Sequence, residues 1–198
     1  MVPGSSVIRL IRLESVEDRG KWLRVLDMNI AGYIEKTFPE LKEIKDDGLR
    51  NKVVEVYCKS MVEGGWDDLK GIPFTKVIKT DIEYITHVRA VTNMAMRCAD
   101  TLKEFGVEVN KDWVIAGGLL HDVGKLFEYS DLQKHMGMVR HPFSGVGLAM
   151  AAGLPPEVLH IIAMHAKEGD LGKRIAEGVI IHHCDFVHFE SIKAVTGQ

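Results

Sequence analysis

Apolar positions recur at three- and four-residue spacing along most of this chain, and no segment shows convincing period-two alternation. From about Glu17 to Thr37, Trp22, Leu26, Ile30, Tyr33 and Ile34 fall on one helical stripe, which Phe38-Pro39 ends. A second helix is predicted from about Asp46 to Val62 through Leu49, Val53, Val56 and Tyr57, stopped by Gly64-Gly65. Residues 64–80, with Gly71 and Pro73, read as loop. Thr80-Asp81 is placed to cap a long helix to about Phe105, with Tyr84, Val88, Val91, Ala95, Cys98 and Leu102 on its apolar stripe. Asn110 or Asp112 caps a short helix through Trp113 and Leu120, which ends at His121-Asp122. Residues 124–140 read as a loop or short helix. His141-Pro142 opens a helix to about Ala152, and Pro155-Pro156 occupies the first turn of another that carries Val158, Ile161, Ile162 and His165. A last helix is expected from about Lys173 to Lys193, with Ile181, Asp185 and His188 on one stripe. The fold class is all-α.

Composition narrows the function. The 198 residues are 46% apolar and 27% charged, with a net charge of −3, so no basic field points to nucleic acid or an anionic membrane. No apolar run approaches the roughly 20 residues of a membrane span, and no basic leader precedes an apolar segment at the N-terminus. The three cysteines, Cys58, Cys98 and Cys184, form no CxxC pair, which leaves neither a disulfide framework nor a thiolate zinc site and makes a reducing cytoplasm the expected setting. The nine histidines are the anomaly, because eight of them lie from His121 onward.

Their centre is Gly117-Gly118-Leu119-Leu120-His121-Asp122-Val123-Gly124-Lys125. Imidazole beside carboxylate at the end of an apolar helix makes a poor core and a good metal clamp. Gly124 is read here as the left-handed residue that closes the helix. His87, His141, His165 and Asp185, each in a separate segment, are candidates to converge on the pair. Neutral imidazoles with carboxylates suit one or two divalent transition metals (Fe, Mn, Zn, Co or Ni). Asp122, fixed by His121 beside it, is the natural bridge between two of them. Water held there becomes a hydroxide nucleophile. Lys125, one turn on, and Arg140 are placed to bind phosphate. His188 shares a face with Asp185 and is a candidate supporting residue, whereas His135 and His160 read as surface groups.

The order His87, His121-Asp122, His141, His165, Asp185 on consecutive helices resembles the HD-domain superfamily of metal-dependent phosphohydrolases. Tyr84-Ile85-Thr86-His87, His121-Asp122-Val123-Gly124-Lys125, His141-Pro142-Phe143-Ser144-Gly145, Ile162-Ala163-Met164-His165 and Cys184-Asp185 carry the resemblance. It implies a compact HD-domain helical bundle over 79–198; residues 1–78, outside the resemblance, read as an N-terminal helical extension packed on that core or on the second copy of a homodimer, or acting as a lid. By the same resemblance His87, His121, Asp122 and Asp185 bind a first metal, and His141 and His165 complete a second site. The implied activity is cleavage of a phosphomonoester or phosphodiester of a nucleotide or other small phosphorylated metabolite, with Asp122 and Lys125 as the catalytic residues. A di-iron oxygenase and a non-catalytic metal-binding sensor are the alternatives. The His-His-Glu and Gly-Tyr-Pro elements of the cyclic-dinucleotide phosphodiesterase branch are replaced here by His165-Ala166-Lys167-Glu168-Gly169.

Overall fold

The computed structural model describes residues 29–198. The irregular arm expected over 1–16 and the start of the helix expected from Glu17 lie outside the described residues. That helix, α1, is present over 29–37. Phe38 donates its amide to Ile34 O, and Pro39–Glu43 continues as a 3-10 turn. The other α-helices among the described residues are α2 (Asp47–Gly64), α3 (Tyr84–Glu104), α4 (Lys111–Leu120), α5 (Lys125–Glu128), α6 (His141–Ala151), α7 (Pro156–Met164) and α8 (Ala176–Thr196). An isolated antiparallel bridge, Pro73 to Glu83, is the extended pairing among the described residues.

Capping chemistry sets several of these boundaries. The Asp46 carboxylate accepts from Leu49 N at the start of α2, and Gly65 closes that helix at φ 72°. Asn110 caps α4 by accepting from the amides of Asp112 and Trp113. Asp112 instead accepts from the amides of Lys45 and Asp46, tying α4 to the chain before α2. Two expected starts move. Thr80 Oγ1 accepts from Ile82 N in a local turn, and Tyr84 N is drawn to Ile72 O at 2.8 Å, so α3 begins at Tyr84 rather than after Thr80-Asp81. The last helix begins at Ala176 rather than Lys173, because Arg174 Nε is held by Met164 O and Ile175 N by His160 Nε2. That bond also makes His160 a half-buried packing group, not the surface residue expected.

Helix α4 is apolar on every side and runs through the middle of the fold; Val114 to Leu120 are all buried. Its two glycines let neighbours close in. A Cβ on Gly117 would come within 2.6 Å of Ile161 on α7, and one on Gly118 within 2.9 Å of Thr92 on α3. One buried cluster joins Ile34, Phe38, Tyr57, Tyr84, Leu119 and Val158, so the described part of the first 78 residues packs on the later helices. Tyr57 stacks on Phe38 at 4.8 Å and donates its hydroxyl to Leu119 O, which fixes the end of α4 where the His-Asp pair follows. Among the described residues no helix is long and apolar enough to cross a membrane.

Candidate metal centre

Each of the six candidate ligands comes from a helix or a helix end. His87 lies in the first turn of α3, His121 and Asp122 directly follow α4, His141 is the first residue of α6, His165 directly follows α7, and Asp185 is midway along α8. The ends of α4 and α7 repeat one device. His121 Nδ1 is 2.7 Å from Gly118 O, and His165 Nδ1 is 2.8 Å from Ile162 O. A carbonyl only accepts, so Nδ1 carries the proton in both rings and the lone pair is on Nε2. His141 reaches the same state by another route. Glu128 Oε2 accepts from its amide at 3.1 Å and from its Nδ1 at 3.2 Å.

The Nε2 atoms then meet around Asp122. Oδ2 of Asp122 is 3.2 Å from His87 Nε2 and 3.5 Å from His121 Nε2, and His87 Nε2 is also 3.2 Å from Asp185 Oδ1. Oδ1 of Asp122 is 3.2 Å from His141 Nε2 and 3.6 Å from His165 Nε2, and those two nitrogens are 3.3 Å apart. The six residues therefore form two groups, one of His87, His121 and Asp185 and one of Asp122, His141 and His165, within each of which the ligand atoms lie within 4.8 Å of one another. Asp122 offers one oxygen to each group. In the second group, with both imidazoles neutral, His141 Nε2, His165 Nε2 and Asp122 Oδ1 all present lone pairs. Three buried acceptors this close repel unless a cation lies among them, and the donor set of imidazole nitrogen and carboxylate oxygen fits a divalent transition metal.

Residues around the centre hold these ligands. His188 Nδ1 stands 2.9 Å from His87 Nδ1, and Phe74 stacks on the His87 ring at 4.6 Å. Lys125 Nζ donates to Asp122 Oδ2 at 2.5 Å and to Phe74 O at 2.6 Å. His182 Nδ1 donates to His165 O. Arg140 donates from Nε to Glu168 and from Nη1 to Glu128, the carboxylate that also holds His141. Gly124 does not adopt the left-handed conformation expected of it. It is right-handed at φ −63°, and its role is space, since a Cβ there would stand 2.1 Å from His141 O.

Burial and charge set the protonation states. Burial pulls the His121 pKa down to about 3, so this imidazole is neutral, and burial likewise lowers His141. Burial also opposes charge on His87, but hydrogen bonds to Asp122 and Asp185 outweigh it and raise the pKa. Burial would raise Asp122, yet the Lys125 ammonium, helped by the imidazoles, holds it well below the usual carboxylate range. Asp185 is pulled down to about 2 against burial, chiefly by the hydrogen bond from His87. His188, lowered to about 4 by burial, is a neutral acceptor for His87 Nδ1–H. A proton on His87 Nε2 thus lies between the carboxylates of Asp122 and Asp185.

Sequence reasoning missed Phe74, which sits in the segment read as loop, and the part played by Glu128, whose only signal was a position one turn past Lys125. A cavity of about 490 Å³ opens over the centre and is lined by Asp122, Lys125, Arg140, His141, Asp185 and the 74–77 segment, among others.

An all-α domain with imidazoles and carboxylates paired about one central aspartate defines the class to which comparison now gives a name. The HD domain family pattern matches residues 84–189, and the chain belongs to this family. It is a phosphoester-hydrolysing enzyme. It is similar to a dihydroneopterin 2',3'-cyclic phosphate phosphodiesterase of Methanocaldococcus jannaschii, with 31% identity over 169 residues that make up 77% of this chain and 67% of that protein. No solved structure matches the chain significantly.

Proposed function

We propose that this chain is a dinuclear phosphodiesterase that opens a cyclic phosphate of a small, nucleotide-like metabolite. The observation that carries the dinuclear part is the cluster of proton-free acceptors, His141 Nε2, His165 Nε2 and Asp122 Oδ1, beside a second cluster of His87, His121 and Asp185. In this reading His87, His121, Asp122 and Asp185 would hold one metal, and Asp122, His141 and His165 would hold the other. Metals bound there supply acidification of water and a clamp for phosphoryl oxygens. The cyclic-phosphate part is carried over from the name of the M. jannaschii relative.

The chain's own groups do the rest. Asp122 fixes the spacing of the two halves and orients the attacking water between them. Lys125 Nζ has three donors, two of them engaged by Asp122 and Phe74 O, and the third serves a phosphoryl oxygen over the cavity floor. Arg140 is half-exposed at the cavity wall, with Nη2 free of the bonds to Glu128 and Glu168, and it takes a second phosphate oxygen in a charge-assisted bond. The described part of the N-terminal region, residues 29–78, completes the pocket of the 79–198 domain through Phe74 and the residues after it.

The test is a phosphoester panel run with protein reconstituted in turn with Mn, Fe, Zn, Co and Ni. Ring opening of 2',3'-cyclic phosphates, lost on chelation and restored by metal, is the expected result. A protein that hydrolyses no phosphoester with any of these metals contradicts the reading.

A further inference from the structure

The cavity over the centre has a polar floor and an aromatic wall. The wall is a stripe on α8, where Asp185, Phe186, Phe189 and Lys193 share one helical face and all line the cavity. Asp185 belongs to the floor, Phe189 stands one turn farther out, about 6 Å along the axis, and Lys193 closes the stripe about 12 Å out. The core-facing residues of this helix are Ile180 and Ile181, which are buried, whereas Phe186 and Phe189 are only half-buried. The aromatic surface is continuous inward, because the Phe189 ring meets Phe74 edge-on at 6.2 Å and Phe74 stacks on His87. Neither the metal ligands nor the phosphate-binding cations need two large apolar rings at this height. The Phe186 ring rests on one side against the His182 ring at 4.7 Å, and a substrate made only of sugar and phosphate would leave the cavity-facing sides of both phenylalanines against polar groups. An ammonium at the outer end suits a ring edge that carries hydrogen-bond acceptors.

Resting on the phosphodiesterase reading above, we propose that Phe186 and Phe189 are specificity residues that stack a planar heterocycle, so that the substrate is the phosphoester of an alcohol carrying such a ring about one helical turn from the reacting phosphate. A ribose or a short polyol chain covers that span, and Lys193 then donates to the far edge of the ring.

The experiment compares kcat/KM for guanosine 2',3'-cyclic phosphate and for ringless glycerol 1,2-cyclic phosphate in the metal-loaded wild type, Phe186→Ala, Phe189→Ala and Phe189→Leu. The wild type is expected to favour the guanosine ester by at least about tenfold, the size of one ring–aromatic stack. Each alanine variant should shrink that ratio by about tenfold, mainly through KM, with Phe189→Leu in between because it keeps volume and loses the π face. A wild-type ratio near one, or a ratio that the variants leave alone, overturns the proposal while leaving the phosphodiesterase reading intact. If neither ester is hydrolysed, that reading falls instead, and calorimetry with guanosine tests the aromatic wall by itself. Binding weakened in Phe189→Ala upholds it, and no binding to the wild type refutes it.

Discussion

Gly124→Ala tests the packing that places His141. Gly124 has ordinary right-handed helical angles, φ −63° and ψ −17°, so alanine meets no backbone strain there. At such a position the exchange normally stabilises by about 0.4–1 kcal/mol, because alanine leaves the unfolded chain less freedom. Here the new methyl would stand 2.1 Å from His141 O, 2.5 Å from Ser144 Oγ and 2.8 Å from Gly145 N, where ordinary contact begins at 3.4 Å. Two of those three atoms are backbone of α6 and cannot rotate aside. The start of α6 must therefore retreat by about 1 Å or more, and overpacking of this kind costs about 1–3 kcal/mol. The steric cost wins over the entropic gain. A net loss of about 1 kcal/mol lowers Tm by about 2–4 °C in a chain of this length. The functional effect is larger than the thermal one. His141 moves with its carbonyl, and metal ligands tolerate shifts of only about 0.2 Å. The expected outcome, read by elemental analysis after gel filtration, is loss of the metal proposed at His141 and His165 and retention of the one proposed at His87, His121 and Asp185. A variant that keeps wild-type Tm and wild-type metal content refutes the argument.

The other predictions concern the groups that hold the ligands and their protons. His188→Phe removes the acceptor for His87 Nδ1–H, and loss of such a partner weakens metal binding by about 10–100-fold, which chelator competition should show at one site only. Glu128→Gln should weaken the other site, because an amide can turn its NH₂ toward His141 Nδ1 and favour the wrong tautomer. For the metal-free protein, burial depresses the folded-state pKa values of His121, to about 3, and His188, to about 4, below the usual value of 6.5. Between those limits the unfolded chain binds protons that the folded chain refuses, so stability is full above about pH 6.5 and falls as pH drops toward 3. His87 works the other way, since its raised pKa favours the folded state in acid, and it offsets part of the loss. Urea melts from pH 7 to pH 4 should show a net decline, and stability that rises toward pH 4 would contradict the burial argument.

What could be read in the sequence follows from which interactions are local. The helix start near Asp46, a cap at Asn110 or Asp112, the stop at Gly64-Gly65 and the apolar run of α4 were legible because each depends on neighbours a few residues away. The six converging residues were legible by their order on successive helices, and the structure brings them together, although the ions that would join them remain a proposal. Phe74 was not legible, since its place beside His87 is set by the path of an irregular segment with no periodicity to read. Glu128 and Arg140 form a three-way bond with Glu168 that joins α5, the start of α6 and the turn after α7, and nothing local announces it. Gly124 shows the limit most plainly. A glycine after a helix suggested a left-handed closure, but the demand came from a carbonyl 17 residues later in the chain, at His141.

The most direct measurement is anomalous diffraction at the metal edge from crystals of the manganese- or iron-loaded protein. The expected map holds two peaks, one among His87, His121 and Asp185 and one between His141 and His165, with Asp122 reaching both. A map with no peak inside this ring of side chains, or with a single ion that leaves His141 and His165 unliganded, would contradict the two-metal account.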